Sequence, residues 1–189
     1  MSARLFVIAG PSGVGKGTLI RRALKQLPDV VVATSATTRP RRPEEQDGRE
    51  YHFLSEDEFA RRVAAGDFLE HVTYAGNRYG TLRSEVDRRL ASGESVVLEI
   101  EVVGAREIKR QMPDAVLVFV LPPAMDDLEA RLTSRNTDPP EVIARRLEIA
   151  RTEMTQKDLF DHTIVNDQVE RAAAELADLI RRETAEETA

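Results

Sequence analysis

A glycine-rich loop near the start of the chain has the clearest chemical meaning in the sequence. Residues 10–16 read GPSGVGK, the G-x-x-x-x-G-K pattern in which backbone N–H groups and a helix N-terminus surround a polyphosphate. Lys16 would neutralise the β- and γ-phosphates. An ordinary glycine turn is the alternative, but a strand-like run precedes this loop and a helical pattern follows it, as the motif requires. The sequence therefore predicts a nucleotide-phosphate site here.

The residues after Lys16 affect how a metal ion could be held. Position 17 is glycine, where the motif normally has Ser or Thr to ligate Mg²⁺. The ion would then be held more through water, the nucleotide phosphates and an acidic side chain elsewhere. Thr18 follows, and its hydroxyl can serve either a nucleotide phosphate or the capping and packing of the helix.

A second set of anion-binding side chains lies downstream, where residues 35–51 read SATTRPRRPEEQDGREY. The donors suited to a monophosphate are Arg39, Arg42, Tyr51 and, in the later segment GNRYGT, Tyr79. The alternative is a solvated surface loop, because the same segment holds four arginines and four acids that can pair with one another. Phosphoryl transfer requires a second anion held in line with the first, and these donors could hold it.

The elements that must position these residues follow an alternating pattern. Near-continuous apolar runs predict buried parallel strands at 4–9, 30–34, 95–100, 115–121 and 162–165. Helical spacing predicts helices at 18–26, 82–92, 103–111, 125–133, 139–154 and 168–182. Strands that alternate with helices indicate a doubly wound α/β fold.

Residues 35–81 interrupt that alternation. They contain a Pro/Arg-rich loop, a short strand YHFL, a helix and the strand-like piece FLEHVTYAGNRYG. We interpret the region as an inserted β-rich subdomain. Its helix is predicted to begin at Ser55, with Glu58 three residues later completing a capping box.

The composition restricts the class of protein. The chain has 189 residues, of which 41% are hydrophobic and 32% are charged, as expected of one soluble globular unit. The absence of cysteine excludes disulfides and thiolate metal sites. The apolar runs are too short for a signal peptide or a transmembrane helix, and a net charge of -6 argues against nucleic-acid binding. We expect a cytoplasmic protein without a membrane or nucleic-acid partner.

The chain resembles guanylate kinases. The segments GPSGVGKGT, SATTRPRR, DGREYHFLS, FLEHVTYAGNRYGT, LEIEVVGA and TIVN occur in that family's order and span nearly the whole chain. The resemblance implies a P-loop kinase core with a five-stranded parallel sheet flanked by helices, at about 1–34, 82–132 and 158–185. It also implies a GMP-binding insert at about 35–81 and a short lid at about 133–157 that closes over ATP. The implied reaction is Mg²⁺-dependent transfer of the γ-phosphoryl group of ATP to GMP.

The resemblance also implies the site residues. Those for ATP are Gly10, Pro11, Ser12, Gly13, Val14, Gly15, Lys16, Gly17, Thr18, Arg131 and Asn166. Those for GMP are Ser35, Arg39, Arg42, Tyr51, Glu70, Tyr79, Thr81 and Glu99. Lys16, Arg135 and Arg146 would be catalytic, and Glu101 would be an outer-shell ligand of Mg²⁺. For Arg131 a solvated helix face is the alternative, and for Asn166 a turn after the strand.

The carboxylate of Glu70 gives the resemblance a chemical reason. Guanine presents adjacent N1–H and N2–H donors that one carboxylate can accept together, while the hydroxyls of Ser35 and Thr81 can serve O6 or N7. Adenine presents an acceptor at N1, which would leave the carboxylate unpaired. Glu70 therefore favours a guanylate over an adenylate as the acceptor.

Two departures from the family pattern leave other functions open. Residues 99–104 read EIEVVG where many members have D-x-D-x-Q-G, and Asn136 replaces a glycine of the lid. One alternative is a P-loop kinase acting on a phosphorylated sugar such as ribose 1,5-bisphosphate. It would not need Ser35, Glu70 and Thr81 together. The other is a binding module that has lost catalysis, against which the complete loop with Lys16 argues.

Overall fold

The computed structural model describes residues 2–74, 76–134 and 139–185. The strands are β1 (Leu5–Ala9), β2 (Val30–Val32), β3 (Ala36–Thr37), β4 (His52–Phe53), β5 (Phe68–Tyr74), β6 (Asn77–Leu82), β7 (Ser95–Glu99), β8 (Val116–Leu121) and β9 (His162–Val165). The helices are α1 (Lys16–Leu24), α2 (Glu56–Ala65), α3 (Arg83–Ala91), α4 (Val102–Gln111), α5 (Met125–Thr133), α6 (Pro140–Met154) and α7 (Val169–Ala185), with a 3₁₀ turn at Lys157–Leu159. Within these ranges, none of the helices has the length and apolar character needed to cross a membrane.

Five strands form a parallel sheet in the order β2-β7-β1-β8-β9, which confirms the predicted fold class and all five predicted core strands. Alternate residues of β1 enter opposite faces of this sheet. Phe6 and Ile8 pack with α1 and α7, whereas Leu5 and Val7 pack with α3 and α4. Because helices cover both faces, the strands are apolar throughout rather than alternating.

The carboxyl ends of parallel strands meet at one edge of the sheet. The glycine-rich loop follows β1, Glu99 ends β7, and Asn166 follows β9. Strand β1 pairs directly with both β7 and β8. The fold therefore gathers, at one edge, candidate residues that lie more than 150 positions apart in the chain.

The β-rich insert forms a second sheet of four strands in the order β4-β3-β6-β5. Its long hairpin, β5 and β6, is antiparallel, and β3 joins β6 antiparallel and β4 parallel. Helix α2 packs against it through Phe59, whose ring stacks on Phe68 at a centroid distance of 4.4 Å. Ala36 and Leu82 complete this small core. The insert therefore has a hydrophobic centre of its own.

The predicted start of α2 is confirmed, but its capping box is only half formed. The Ser55 hydroxyl accepts a hydrogen bond from the Glu58 backbone N–H at 3.1 Å. The Glu58 carboxylate pairs with Arg62 at 2.7 Å, one helical turn ahead, instead of turning back to the Ser55 N–H. A charged partner on the same helix face therefore replaces the second capping bond.

Candidate active site

The glycine-rich loop joins β1 to α1 through three glycines with positive φ, namely Gly10 (147°), Gly13 (88°) and Gly15 (98°). A Cβ atom on Gly10 would lie 2.4 Å from the backbone oxygen of Val120, so a larger residue would push the loop away from β8. Residues that carry a Cβ atom rarely adopt such positive φ angles. Glycine at these positions is therefore a requirement of this loop.

Helix α1 begins two residues earlier than predicted, because Gly15 takes the left-handed conformation as its N-cap. The first intrahelical bond runs from the Leu19 N–H to the Gly15 oxygen at 3.0 Å. The N–H groups of Lys16, Gly17 and Thr18 precede that bond and point out of the helix start. Together with the helix dipole, they make the loop an anion-binding site.

The Lys16 ammonium lies over its own loop. Its Nζ donates to the backbone oxygen of Gly10 at 2.6 Å and to that of Pro11 at 3.4 Å. The charged end is thus at the loop opening, where a phosphate held by the helix N-terminus would lie. Ser12 and Gly13 complete this turn of the loop, and both are partly exposed.

Two predicted ATP-binding residues hold the loop from behind. The buried Asn166 donates through Nδ2 to the Val14 oxygen at 2.8 Å. Arg131 donates to the same oxygen at 3.0 Å and to the Asn166 oxygen at 2.8 Å. A Cβ atom on Gly15 would lie 2.7 Å from Asn166 Nδ2. The structure thus places both residues against the loop backbone, and their contact with ATP stays a prediction.

The carboxylate of Glu99 lies beside the first turn of α1. A Cβ atom on Gly17 would be 3.1 Å from Glu99 Oε2 and 3.4 Å from Oε1. This carboxylate, which we predicted at the GMP site, therefore fills the space that a Ser or Thr side chain at position 17 would use. Thr18 is exposed, and its hydroxyl accepts from Arg21 at 3.3 Å. The structure therefore favours neither of the roles predicted for Thr18.

Glu153 is a site residue that the sequence did not reveal to us. It lies on α6, is 9% exposed and lies beside the carboxylate of Glu101. Burial, followed by the negative charge of Glu101, raises the pKa of Glu153 to about 7, while the Lys16 charge acts in the opposite direction. The sequence contained one indication of its burial, which is its spacing. Leu147, Ala150 and Glu153 recur every three residues and form the buried face of α6. An acid on a buried helix face needs a polar partner.

The predicted catalytic arginines belong to the same part of the chain. Arg146 is partly exposed and lies seven residues before Glu153 on α6, a separation of two turns that places both on one side of the helix. Arg135 lies outside the described residues. The structure therefore bears on Arg146 alone among these two arginines.

On the insert, three of the predicted phosphate-binding residues lie together. The rings of Tyr51 and Tyr79 meet edge to face at 6.0 Å, and the Arg39 guanidinium lies 5.5 Å from the centre of the Tyr51 ring. Burial, then the neighbouring Tyr79, raises the pKa of Tyr51, so its hydroxyl keeps its proton for donation. Arg42 is exposed, and its backbone N–H donates to Glu45 at 2.8 Å. Sequence reasoning did not single out Glu45.

The predicted guanine contacts begin with a buried pair across β5 and β6. The Thr81 hydroxyl donates to Glu70 Oε1 at 2.7 Å, and both residues are buried. Burial raises the pKa of Glu70, although its hydrogen bonds from Thr81 act against that change. Glu70 Oε2 faces α4, since a Cβ atom on Gly104 would lie 3.0 Å from it. Ser35, half-buried just before β3, accepts from the His52 N–H through its backbone oxygen at 2.9 Å.

A cleft of about 710 Å³ lies between β5 and α4, on the acceptor side of the site. Glu70 and Glu101 both line it. The charge of Glu101 acts on Glu70 on one side and on Glu153 beside Lys16 on the other. Glu101 therefore lies between the glycine-rich loop and the candidate base pocket.

Comparison with known proteins extends along nearly the whole chain. The sequence model of the guanylate kinase family matches residues 2–183. A guanylate kinase of Frankia casuarinae is 52% identical over 176 residues, which cover 93% of this chain and 96% of that protein. A guanylate kinase of Thermobifida fusca is 50% identical over 177 residues, covering 94% and 90%. The crystal structure of guanylate kinase from Anaplasma phagocytophilum has a TM-score of 0.78 at 28% identity, covering 98% of this chain and 88% of that one.

Proposed function

The chain belongs to the guanylate kinase family, whose enzymes transfer the γ-phosphoryl group of ATP to GMP, and from this we propose how its residues hold the two nucleotides. The glycine-rich loop binds the ATP phosphates, and the insert binds GMP. One observation supports this most: the charge of Glu101 acts on Glu70, which Thr81 holds, and also on Glu153, which feels the charge of Lys16. The two nucleotides would then lie on either side of Glu101, with their phosphates facing each other.

Lys16 and the free N–H groups of α1 act on the donor side. They neutralise and orient the β- and γ-phosphates, while Arg131 and Asn166 keep the loop backbone in place. A phosphate oxygen of GMP attacks the γ-phosphorus in line, the bond from that phosphorus to the β,γ-bridging oxygen breaks, and ADP leaves. Positioning and charge neutralisation suffice for this reaction, so no covalent enzyme intermediate is needed.

The insert acts on the acceptor. Arg39, Arg42, Tyr51 and Tyr79 bind the GMP phosphate. Glu70 accepts guanine N1–H and N2–H through the carboxylate that Thr81 orients. These contacts read the base and the phosphate but not the sugar, so dGMP is also a substrate. We further propose that residues 35–81 form the GMP-binding insert and residues 133–157 the lid, with Arg146 and Arg135, which lies outside the described residues, stabilising charge in the transition state.

The residues present fit a Mg²⁺ ion that is shared with the nucleotide. Gly17 offers no hydroxyl, but the carboxylate of Glu99 lies beside the start of α1, and Glu101 lies beside Glu153, on which the Lys16 charge also acts. Among the described residues, no group of three or more His, Cys, Asp or Glu side chains could form a metal site by itself. Such a donor set suits an ion that keeps several waters and binds phosphate oxygens, with Glu101 in its outer shell. When bound, Mg²⁺ would neutralise charge on the phosphates.

The experiment that tests this function offers the purified chain ATP and Mg²⁺ with GMP, dGMP, AMP, CMP, UMP or ribose 1,5-bisphosphate. Formation of GDP and dGDP, with little product from the other acceptors, is the expected result. Turnover of the sugar bisphosphate without GMP turnover would instead support the sugar kinase, and GMP binding without any turnover would support the binding module. The proposed setting is cytoplasmic, with no nucleic-acid or membrane partner.

A further inference from the structure

Glu45 occupies the centre of the charged loop in the insert. Its Oε1 accepts from Arg39 Nη2 at 2.7 Å, and its Oε2 accepts from the backbone N–H of Arg42 at 2.8 Å. One carboxylate therefore binds the side chain of one predicted phosphate-binding residue and the backbone of another. Its neighbour Glu44 has the same charge but is exposed.

The burial of this contact distinguishes it from the other ion pairs of the loop. Glu45 is only 8% exposed, and the side chains of Arg39 and Glu45 are 16% and 10% exposed in their ion pair. The Arg49–Glu50 pair nearby is far more open, with 57% and 33%. Exposed pairs contribute little, whereas a shielded carboxylate fixes the side chain that it binds.

The Arg39 guanidinium is held on its other sides too. Its Nη1 donates to the Pro40 oxygen at 2.9 Å, and its Cζ atom lies 5.5 Å from the centre of the Tyr51 ring and 5.8 Å from that of Phe53. The hydrogen bonds from Nη2 to Glu45 and from Nη1 to Pro40 use two of the five N–H donors of the guanidinium. Glu45 thus sets the direction in which the remaining donors point.

The state of charge agrees with this geometry. Hydrogen bonds from Arg39 and from the Arg42 backbone lower the pKa of Glu45, and the same contact raises the pKa of Arg39. Both groups are therefore charged at neutral pH. A charged pair keeps the arginine in place while the phosphate is absent and partly offsets the positive charge of the loop.

We propose that Glu45 is a positioning residue for the GMP phosphate, because it holds Arg39 and the Arg42 backbone in the arrangement that receives the phosphate. This inference rests on the proposed function, in which Arg39 and Arg42 bind that phosphate. The opposite role is that of a competitor, with Glu45 occupying Arg39 until GMP displaces it. The two roles predict opposite effects on GMP affinity.

The experiment measures GMP affinity by calorimetry, and kcat and KM for both substrates, in the wild type, Glu45→Gln, Glu45→Asp and the matched control Glu44→Gln. We expect Glu45→Gln to raise the Kd and KM for GMP about ten- to hundredfold, as for loss of a charged hydrogen bond. The KM for ATP and kcat at saturating GMP should change less than about threefold, since Lys16 is untouched. Glu45→Asp should recover part of the affinity, and Glu44→Gln should match the wild type.

Guanosine distinguishes positioning from general damage to the insert. It has the base but no phosphate, so its inhibition constant against GMP should be the same in Glu45→Gln and the wild type. Equal losses for guanosine and GMP would overturn the proposal in favour of a structural role. Unchanged or tighter GMP binding would overturn it in favour of a neutral or competing carboxylate.

Arg39→Gln separates failure of this inference from failure of the proposed function. If Arg39→Gln binds GMP like the wild type, the assignment of the phosphate site is wrong. If it loses affinity while Glu45→Gln does not, only the role of Glu45 is wrong. In the double variant, the Glu45 change should add less than about threefold to the loss caused by Arg39→Gln, because coupled residues are not additive.

Discussion

The proposed donor and acceptor sides of the active site differ in how their groups are held. The donor side is largely backbone: three positive-φ glycines shape the loop, and Asn166 holds it from behind. The acceptor side consists of side chains fixed in pairs, such as Arg39 with Glu45 and Glu70 with Thr81. Changes on the donor side should therefore affect chemistry and ATP. Changes on the acceptor side should affect the choice and affinity of one substrate.

The largest effect is expected from Lys16→Met, which removes the charge at the loop opening. Turnover should fall by about a thousandfold or more, because electrostatic stabilisation of the transferred phosphoryl group is lost. The Kd for GMP and the melting temperature should stay near their wild-type values. Steady-state kinetics and thermal denaturation would measure this, with the exposed Lys25→Met as control. Retention of full activity would contradict the role of Lys16.

Glu70→Gln should have the next largest effect, and only on the acceptor side. We expect kcat/KM for GMP to fall about a hundredfold, because an amide N–H would face a guanine N–H in a buried site. The KM for ATP should not change. An equal loss for both substrates would show that Glu70 supports the fold instead of reading the base.

The same residue predicts a pH dependence. Burial raises the pKa of Glu70, so lowering the pH protonates its carboxyl sooner than that of an ordinary glutamate. A protonated carboxyl has an O–H donor on one oxygen, and this donor would face a guanine N–H donor. GMP affinity should therefore decrease as the pH falls through this raised pKa, and the decrease should be absent in Glu70→Gln. Titration calorimetry at several pH values would test it.

Asn166→Asp should have a moderate effect on the donor side. It replaces the Nδ2 donor by an oxygen that faces the Val14 oxygen, so the loop must shift. We expect the KM for ATP to rise about tenfold, with the KM for GMP unchanged. Arg131→Gln should act in the same direction but less, because Asn166 still holds Val14. If only the KM for GMP rose, the hydrogen bond from Asn166 to Val14 would not be needed for ATP binding.

The last prediction concerns stability, with no expected effect on substrate choice. The pKa of Glu153 is raised from 4.5 to about 7, so the folded protein retains a proton that the unfolded chain releases between these pH values. The contribution of Glu153 to stability is therefore fully present below about pH 4.5 and lost as the pH rises through about 7.

Glu153→Gln cannot release that proton. Its stability relative to the wild type should rise between pH 5 and pH 8, by roughly 1–3 kcal/mol. Urea denaturation at both pH values would measure the difference. A constant difference between the two proteins would exclude a raised pKa at this position.

Much of the fold could be predicted because its signals are local. The five apolar runs are the five core strands, and the interrupted region is the second sheet. Element ends were less certain. Helix α1 starts at Lys16 because of the left-handed Gly15, and Glu58 prefers Arg62 to the second capping bond. The start of α1 was decided by a backbone conformation, and the capping bond of α2 by a competing ion pair. The apolar spacing used to predict the helices gives no information about either.

The candidate site likewise has one part that the sequence predicted and one part that it did not. The loop at 10–16 was evident because its chemistry depends on glycines and a lysine at a set spacing. Glu45 was not, since it is one of four acids among four arginines in residues 35–51. Pairing within such a segment depends on which carboxylate the fold buries. Its only sequence signal is the three-residue separation from Arg42, whose N–H it accepts.

The sequence by itself therefore determined the α/β alternation, the phosphate loop and the family, because these depend on neighbouring residues. Only the tertiary structure decided the partners of the charged and polar groups. Glu153 meets Glu101, and Asn166 meets Val14, across 52 and 152 positions of the chain. The energy of a buried charge or amide depends on what lies within a few ångströms of it, and folding alone brings such distant residues together.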